Sequence, residues 1–248
     1  MSVSLVLGVF LVLVLAGIVK GASGMGLPTL GMGLLSLLMA PADAAAIIVV
    51  PAILTNVLQF ATGPRRLPIL RRFWGLGLFA ILGTLAGALV LGGLDSHLAP
   101  ALLGATLLVY GLFGLGRLNF HTPIAAEPWL SPLIGFASGV LTGTTGVTVM
   151  PVAPYLQSLG LDREDLVQSL GLAFTLSTLA LAVTLSLDFS ALTDGYLALA
   201  SLGALVPSFI GMEIGRRLRL AVSQDTFRTG FFCALALLGA NTLIRTLT

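Results

Sequence analysis

Lys20 is the only lysine in the chain, and it lies in the run GIVKGASGMG, residues 17–26, among four glycines and Ser23. An ammonium, a hydroxyl and backbone freed from its helix are groups that hold a small oxyanion, because released N–H groups present their positive ends to it. A second stretch, TGTTG at residues 142–146, contributes Thr142, Thr144, Thr145 and Gly146, with Thr148 just beyond. Asn56 and Gln59, three residues apart beside Thr55, share one helix face. The candidate ligands of an anion are therefore Lys20, Ser23, Gly24, Gly26, Asn56, Gln59, Thr142, Thr144, Thr145, Gly146 and Thr148.

Each of these has a plainer reading. Lys20 can snorkel to an interface if its helix crosses fully. Hydroxyls in membrane helices often bond their own backbone. Gly17 with Gly21, and Gly135 with Gly139, form G-x-x-x-G pairs, which favour close helix packing. The buried amides serve equally as interhelical glue. Glu213, with Arg216 and Arg217 three and four residues on, reads as a structural ion pair, and Trp74 and Trp129 as interface anchors.

Catalysis has little to work with. GASG at residues 21–24 resembles the G-x-S-G of intramembrane serine proteases, but such a serine needs a base within reach. The two histidines, His97 and His121, fall in expected loops, so no histidine is available within a span. No H-E-x-x-H, cysteine cluster or phosphate-binding loop occurs, so neither enzymatic activity nor a cofactor or metal is expected.

The elements that must position these residues are membrane helices. Hydrophobic residues make up 57% of the 248 positions, charged residues only 9%, and the mean hydropathy is +1.07, which leaves too little polar surface for a soluble globule. The lone Cys233 cannot form an internal disulfide. The first apolar run lacks a preceding positive charge and a cleavage site, so it reads as mature structure. Apolar runs recur along the whole chain without the alternation of a barrel wall, which predicts an all-α polytopic protein in a lipid bilayer. No nucleic-acid partner is expected, and homo-oligomerisation is left open.

GIVKGASGMGLPTLGM from Gly17 lies over GFASGVLTGTTGVTVM from Gly135, and each is followed by three long apolar segments. An internal duplication follows: a first repeat at 1–117, a linker at 118–131 and a second repeat at 132–248. Arg65, Arg66, Arg71 and Arg72 crowd one loop and Arg216, Arg217 and Arg219 another, which predicts both as cytoplasmic. The loops at 95–97 and 188–194 carry no basic residue. If each short punctuated pair is a re-entrant hairpin, each repeat holds a broken hairpin plus three full spans. The second repeat is then inverted and both termini face outward. Inverted repeats with broken helices bind substrate where the breaks meet.

The spacing Gly135, Gly139, Gly146, Pro151, repeated more weakly from Gly17, resembles the glycine-rich signature found twice in the sulfite exporter TauE/SafE family of membrane permeases. The resemblance spans essentially the whole chain. It implies a secondary transporter, an exporter of small anions such as sulfite or organosulfonates across the bacterial inner membrane. The first copy departs from the family pattern with Leu27 and Pro28 after Gly26, and the second with Thr144 and Thr145 before Gly146. The competing readings are a channel-like facilitator for a neutral solute and a membrane subunit of an enzyme complex. With no carboxylate convincingly in mid-span, the membrane potential is the expected driving force.

Overall fold

A computed structural model describes residues 3–116, 120–187, 195–221 and 223–247. All regular elements among them are helices: α1 (Val3–Ser23), α2 (Leu27–Leu35), α3 (Pro41–Thr62), α4 (Arg66–Val90), α5 (Ala99–Leu115), α6 (Glu127–Thr145), α7 (Val152–Ser158), α8 (Arg163–Leu187), α9 (Gly195–Gly203), α10 (Leu205–Ala221) and α11 (Gln224–Leu247), with single 3-10 turns at Gly93–Asp95 and Ile124–Ala126. Seven spans among the described residues are long and apolar enough to cross a membrane: α1, α3, α4, α6, α8, the α9–α10 pair and α11. At 17 residues α5 is shorter, and α2 and α7, with nine and seven, cover less than half of a bilayer at 1.5 Å per residue. The expected loop at 188–194 and Arg117 lie outside the described residues.

Helix α1 and α2 form a hairpin that turns at Gly24–Gly26 and comes back on itself. A β-carbon at Gly26 would stand 2.8 Å from Val19, one at Gly31 3.9 Å from Ala16, and one at Gly8 3.4 Å from Leu38, so the returning chain is antiparallel to α1. Helices α6 and α7 do the same. Ser131 and Tyr155 share a hydroxyl–hydroxyl bond of 2.6 Å, and the Ser138 hydroxyl donates to the Thr148 carbonyl at 3.4 Å.

Glycine decides which helices touch. α1 packs along α10, α6 along α4, α5 along α11 and α3 along α8. At the first contact a β-carbon on Gly21 would meet the Met212 carbonyl at 2.1 Å, and one on Gly215 the Ile18 carbonyl at 2.0 Å. At the second, Gly139 faces the Ala80 carbonyl at 2.2 Å and Gly83 the Phe136 carbonyl at 2.2 Å. Backbones this close leave no room for any side chain, and the gain is dense van der Waals contact where lipid offers no hydrophobic drive. Gly17, Gly21, Gly135 and Gly139 are packing residues inside intact helices. Unwinding therefore starts at Gly24, later than the motif beginning at Gly17 suggested.

Pro51, inside α3, has no N–H for the Ile47 carbonyl one turn earlier. Ser201 of α9 supplies the missing donor, its hydroxyl bonding Ile47 O at 3.1 Å. That contact meets the requirement that every backbone carbonyl in hydrocarbon find a partner.

Ion pairs gather helix ends on one side of the molecule. Arg65, after α3, pairs with Asp165 of α8 at 2.9 Å, and Arg72 of α4 grips Glu127 of α6 through two bonds of 2.7 Å. Arg228 of α11 donates to the Gly114 carbonyl of α5 at 3.0 Å.

Candidate functional site

The first break is a three-residue turn. Gly24 and Gly26 have φ of 79° and 104°, left-handed values that suit glycine, and they reverse the chain within Gly24–Gly26. Ser23 closes the end of α1: its hydroxyl lies 2.8 Å from both the Val19 and Met25 carbonyls and accepts from the Met25 N–H at 3.3 Å. One hydroxyl proton serves only one carbonyl at a time, and the oxygen is already accepting, so Ser23 is engaged by its own backbone. Among the described residues no imidazole, amine or carboxylate bonds it.

Helix α2 leaves this turn without a side-chain cap at its amino end. Pro28 has no N–H to cap, and Leu27, Pro28 and Thr29 are all buried. The Thr29 hydroxyl, in the first turn, is buried with no hydrogen-bond partner.

Lys20, one turn before the break, is 3% exposed, so it does not snorkel into solvent. Its ammonium donates to the side-chain oxygen of Asn56 on α3, 36 residues away. Asn56 is fully buried, and its amide nitrogen has no partner. An ammonium has no lone pair to offer, so the Asn56 oxygen must face it and the NH2 must face elsewhere. Lys20 and Glu127 are the buried Asp, Glu, Lys or Arg side chains among the described residues, and Glu127 is held by Arg72. Lys20 alone is buried without a counter-ion.

Gln59, one turn beyond Asn56, reaches the same region, with its amide nitrogen 4.0 Å from where a β-carbon on Gly24 would lie. That nitrogen donates to the Val167 carbonyl of α8 at 2.8 Å.

The second break is built differently. Gly146 turns the chain with φ 69°, and residues 147–149 run irregularly towards α7. Thr142, Thr144, Thr145 and Thr148 are all buried. Thr142 donates to the Ser138 carbonyl at 2.9 Å, Thr144 to Val140 at 2.9 Å and Thr145 to Leu141 at 2.6 Å, while the Val147 N–H donates to the Thr145 hydroxyl at 3.2 Å. Three of these four threonines thus cap the helix that carries them.

Each break is the turn of its own hairpin, and the second lies against α2. A β-carbon on Gly146 would lie 2.9 Å from the methyl of Met32, six residues past Gly26 on α2. Met32 is 1% exposed, so the second break packs on a buried apolar side chain. The structure thus brings Lys20, Asn56, Gln59 and Gly24 together at the first break, and places Thr142, Thr144, Thr145, Gly146 and Thr148 at the second.

Sequence reasoning passed over three hydroxyls. Those of Thr29 and Ser208 on α10 are buried without partners, and that of Ser201 repairs α3. Only Thr29 carried a local signal, as a hydroxyl in the first turn after a glycine break. A groove of about 620 Å³ also opens between α4 and α6, lined by Arg72, Trp74, Phe79, Glu127 and Pro132, and it shares no lining residue with the Lys20 cluster.

No curated protein and no solved structure shows a significant match to the chain. Residues 9–242 match the family described as sulfite exporter TauE/SafE. With that match over most of its length and seven apolar spans among its described residues, the chain belongs to the sulfite exporter TauE/SafE family of membrane transporters.

Proposed function

We propose that the protein is a secondary transporter that exports small anions such as sulfite or organosulfonates, with the anion held at the first helix break by Lys20 and Asn56. The single observation that carries this reading is the Lys20 ammonium, buried without a counter-ion beside an amide nitrogen that has no partner. An intramembrane charge costs about 2.5–3.5 kcal/mol even on insertion scales, and that cost favours a substrate-binding role for Lys20. Gly24 and Gly26 free the start of α2, whose N–H groups and positive dipole end add to the attraction. Thr29 adds a hydroxyl donor.

The reading includes two inverted repeats, 1–117 and 132–248. Its support is that each half runs helix, break, short helix and long helices, and that α1 meets α10 as α6 meets α4. One half rocking against the other would expose the first break to each side in turn. Export needs no carboxylate carrier. A negative interior drives a single negative charge outward by about 2.3 kcal/mol per 100 mV. The placement is the bacterial inner membrane, with the arginine loops inside and both termini outside.

The test is a thermal-shift panel of sulfite, sulfonates, thiosulfate and carboxylates on the purified protein, followed by flux in liposomes. An anion at 100 times its dissociation constant adds about 2.7 kcal/mol of stability. Flux of that anion should rise with an imposed potential. Flux indifferent to potential overturns the proposed drive, and neutral solutes moving as fast as anions overturn the anion reading.

A further inference from the structure

We infer that the first break selects singly charged over doubly charged anions of the same shape, with Lys20 as the specificity-determining residue. The inference rests on the anion-transport reading above and adds to it a charge class.

Lys20 contributes one positive charge at 3% exposure, and the side chain bonded to it, Asn56, is neutral and fully buried. Several of the charged groups near this end of the molecule are paired, and Arg66, Arg71, Arg163 and Glu164 are exposed to solvent, which screens them. Arg65 faces Asp165, Arg72 faces Glu127, and Glu213 on α10, the helix against α1, is held by both Arg216 and Arg217. A monoanion against Lys20 leaves the closed site neutral. A dianion leaves one uncompensated negative charge in a region of low dielectric, which is the costly outcome for a buried ion.

Hydrogen bonding does not make this distinction, so charge must. The ammonium has three N–H donors, of which one goes to Asn56, and the Asn56 amide nitrogen has two more with no partner. Four free donors suit the oxygens of a sulfonate and of a sulfate alike. The one side-chain acceptor of the pair, the Asn56 oxygen, already receives the ammonium. The second lone pair of that oxygen and the Thr29 hydroxyl can still accept, but donors are in excess, which favours an anion whose exposed oxygens carry no proton. Organosulfonates meet both conditions, with one charge and three bare oxygens.

The experiment compares three tetrahedral sulfur compounds on the purified full-length protein at fixed ionic strength, by titration calorimetry or thermal shift. Methanesulfonate is the monoanion, sulfate the dianion and dimethyl sulfone the neutral form. Methanesulfonate is expected to bind at least tenfold more tightly than sulfate, with dimethyl sulfone weakest. Lys20→Arg keeps the charge and should keep that preference. Asn56→Asp, which is nearly isosteric, gives Lys20 a permanent counter-ion and should lower methanesulfonate affinity at least tenfold while the unliganded protein melts no lower than wild type. Sulfate binding as tightly as methanesulfonate, or Asn56→Asp binding it unchanged, overturns the charge selection and leaves anion transport standing. Dimethyl sulfone binding as tightly as methanesulfonate, or no anion binding at all, overturns both.

Discussion

Gln59 of α3 and Gln168 of α8 exchange hydrogen bonds across the contact between their helices: the Gln59 amide donates to the Val167 carbonyl and the Gln168 amide to the Phe60 carbonyl, each at 2.8 Å. The Gln168 oxygen also accepts from the Arg65 N–H at 3.1 Å, so both ends of its amide are used. Near them, Arg65 pairs with Asp165, and together these contacts clasp α3 to α8 beside the first break.

Such bonds between membrane helices average about 0.6 kcal/mol and reach about 1.7. Gln59→Leu and Gln168→Leu should each lower the melting stability by that order in detergent. The stabilisation added by a saturating anion should persist in Gln59→Leu. Its loss would make Gln59 a ligand rather than part of the clasp.

Close backbone approach makes a sharper prediction. Gly21→Leu drives a side chain into the Met212 carbonyl, where even a β-carbon would stand at 2.1 Å. Overpacking of this kind costs about 1–3 kcal/mol or more, and the purified variant should show reduced yield and a lower melting temperature. Gly203→Ala is the control, since nothing lies within 4 Å of its added carbon, and it should stay within about 0.5 kcal/mol of wild type.

Ser201 and Pro51 form a natural double-mutant cycle. Ser201→Ala removes the donor to the Ile47 carbonyl and should cost about 1–3 kcal/mol. In a Pro51→Ala background the helix regains the N–H that serves Ile47, and the same change should cost clearly less. Equal costs in both backgrounds would show that the hydroxyl does not repair α3.

The second break predicts a graded response. Thr145→Val removes the acceptor of the Val147 N–H and should cost about 1 kcal/mol, as loss of a helix cap does. Thr144→Val removes a bond only to its own helix and should be milder. Titration with a bound anion distinguishes capping from coordination, because a capping threonine changes stability and leaves affinity as it was.

Orientation is testable by labelling. In a Cys233→Ser background, Arg66→Cys should react with an impermeant thiol reagent from the cytoplasmic side and Ser96→Cys from the outside, as the arginine bias requires. The reverse pattern would invert the proposed topology and the direction of export with it.

Much of this molecule was legible in advance. Apolar run length and scarcity of charge determined that the chain is a bundle of membrane helices, because the bilayer accepts little else. The glycine-rich punctuation marked both hairpins, since a turn with positive φ needs glycine. Lys20 and Asn56 stood out by type alone, as polar groups in apolar runs. Which glycines break a helix and which pack one was not legible. Gly21 and Gly24 sit three residues apart in the same motif, yet Gly21 is helical against Met212 and Gly24 turns the chain.

The chemistry of the breaks was likewise decided in three dimensions. Thr142, Thr144 and Thr145 look in sequence like a row of ligands, and the structure turns their hydroxyls onto their own helix. Lys20 found a neutral amide 36 residues away instead of a carboxylate, and Ser201 found a carbonyl orphaned by a proline 150 residues earlier. The amino-acid order alone determined the solvent, the helices and the positions where they bend, because those follow from local composition and backbone sterics. Whether a polar group is satisfied or left available for an anion depends on which distant helix faces it, and only the packed bundle decides that.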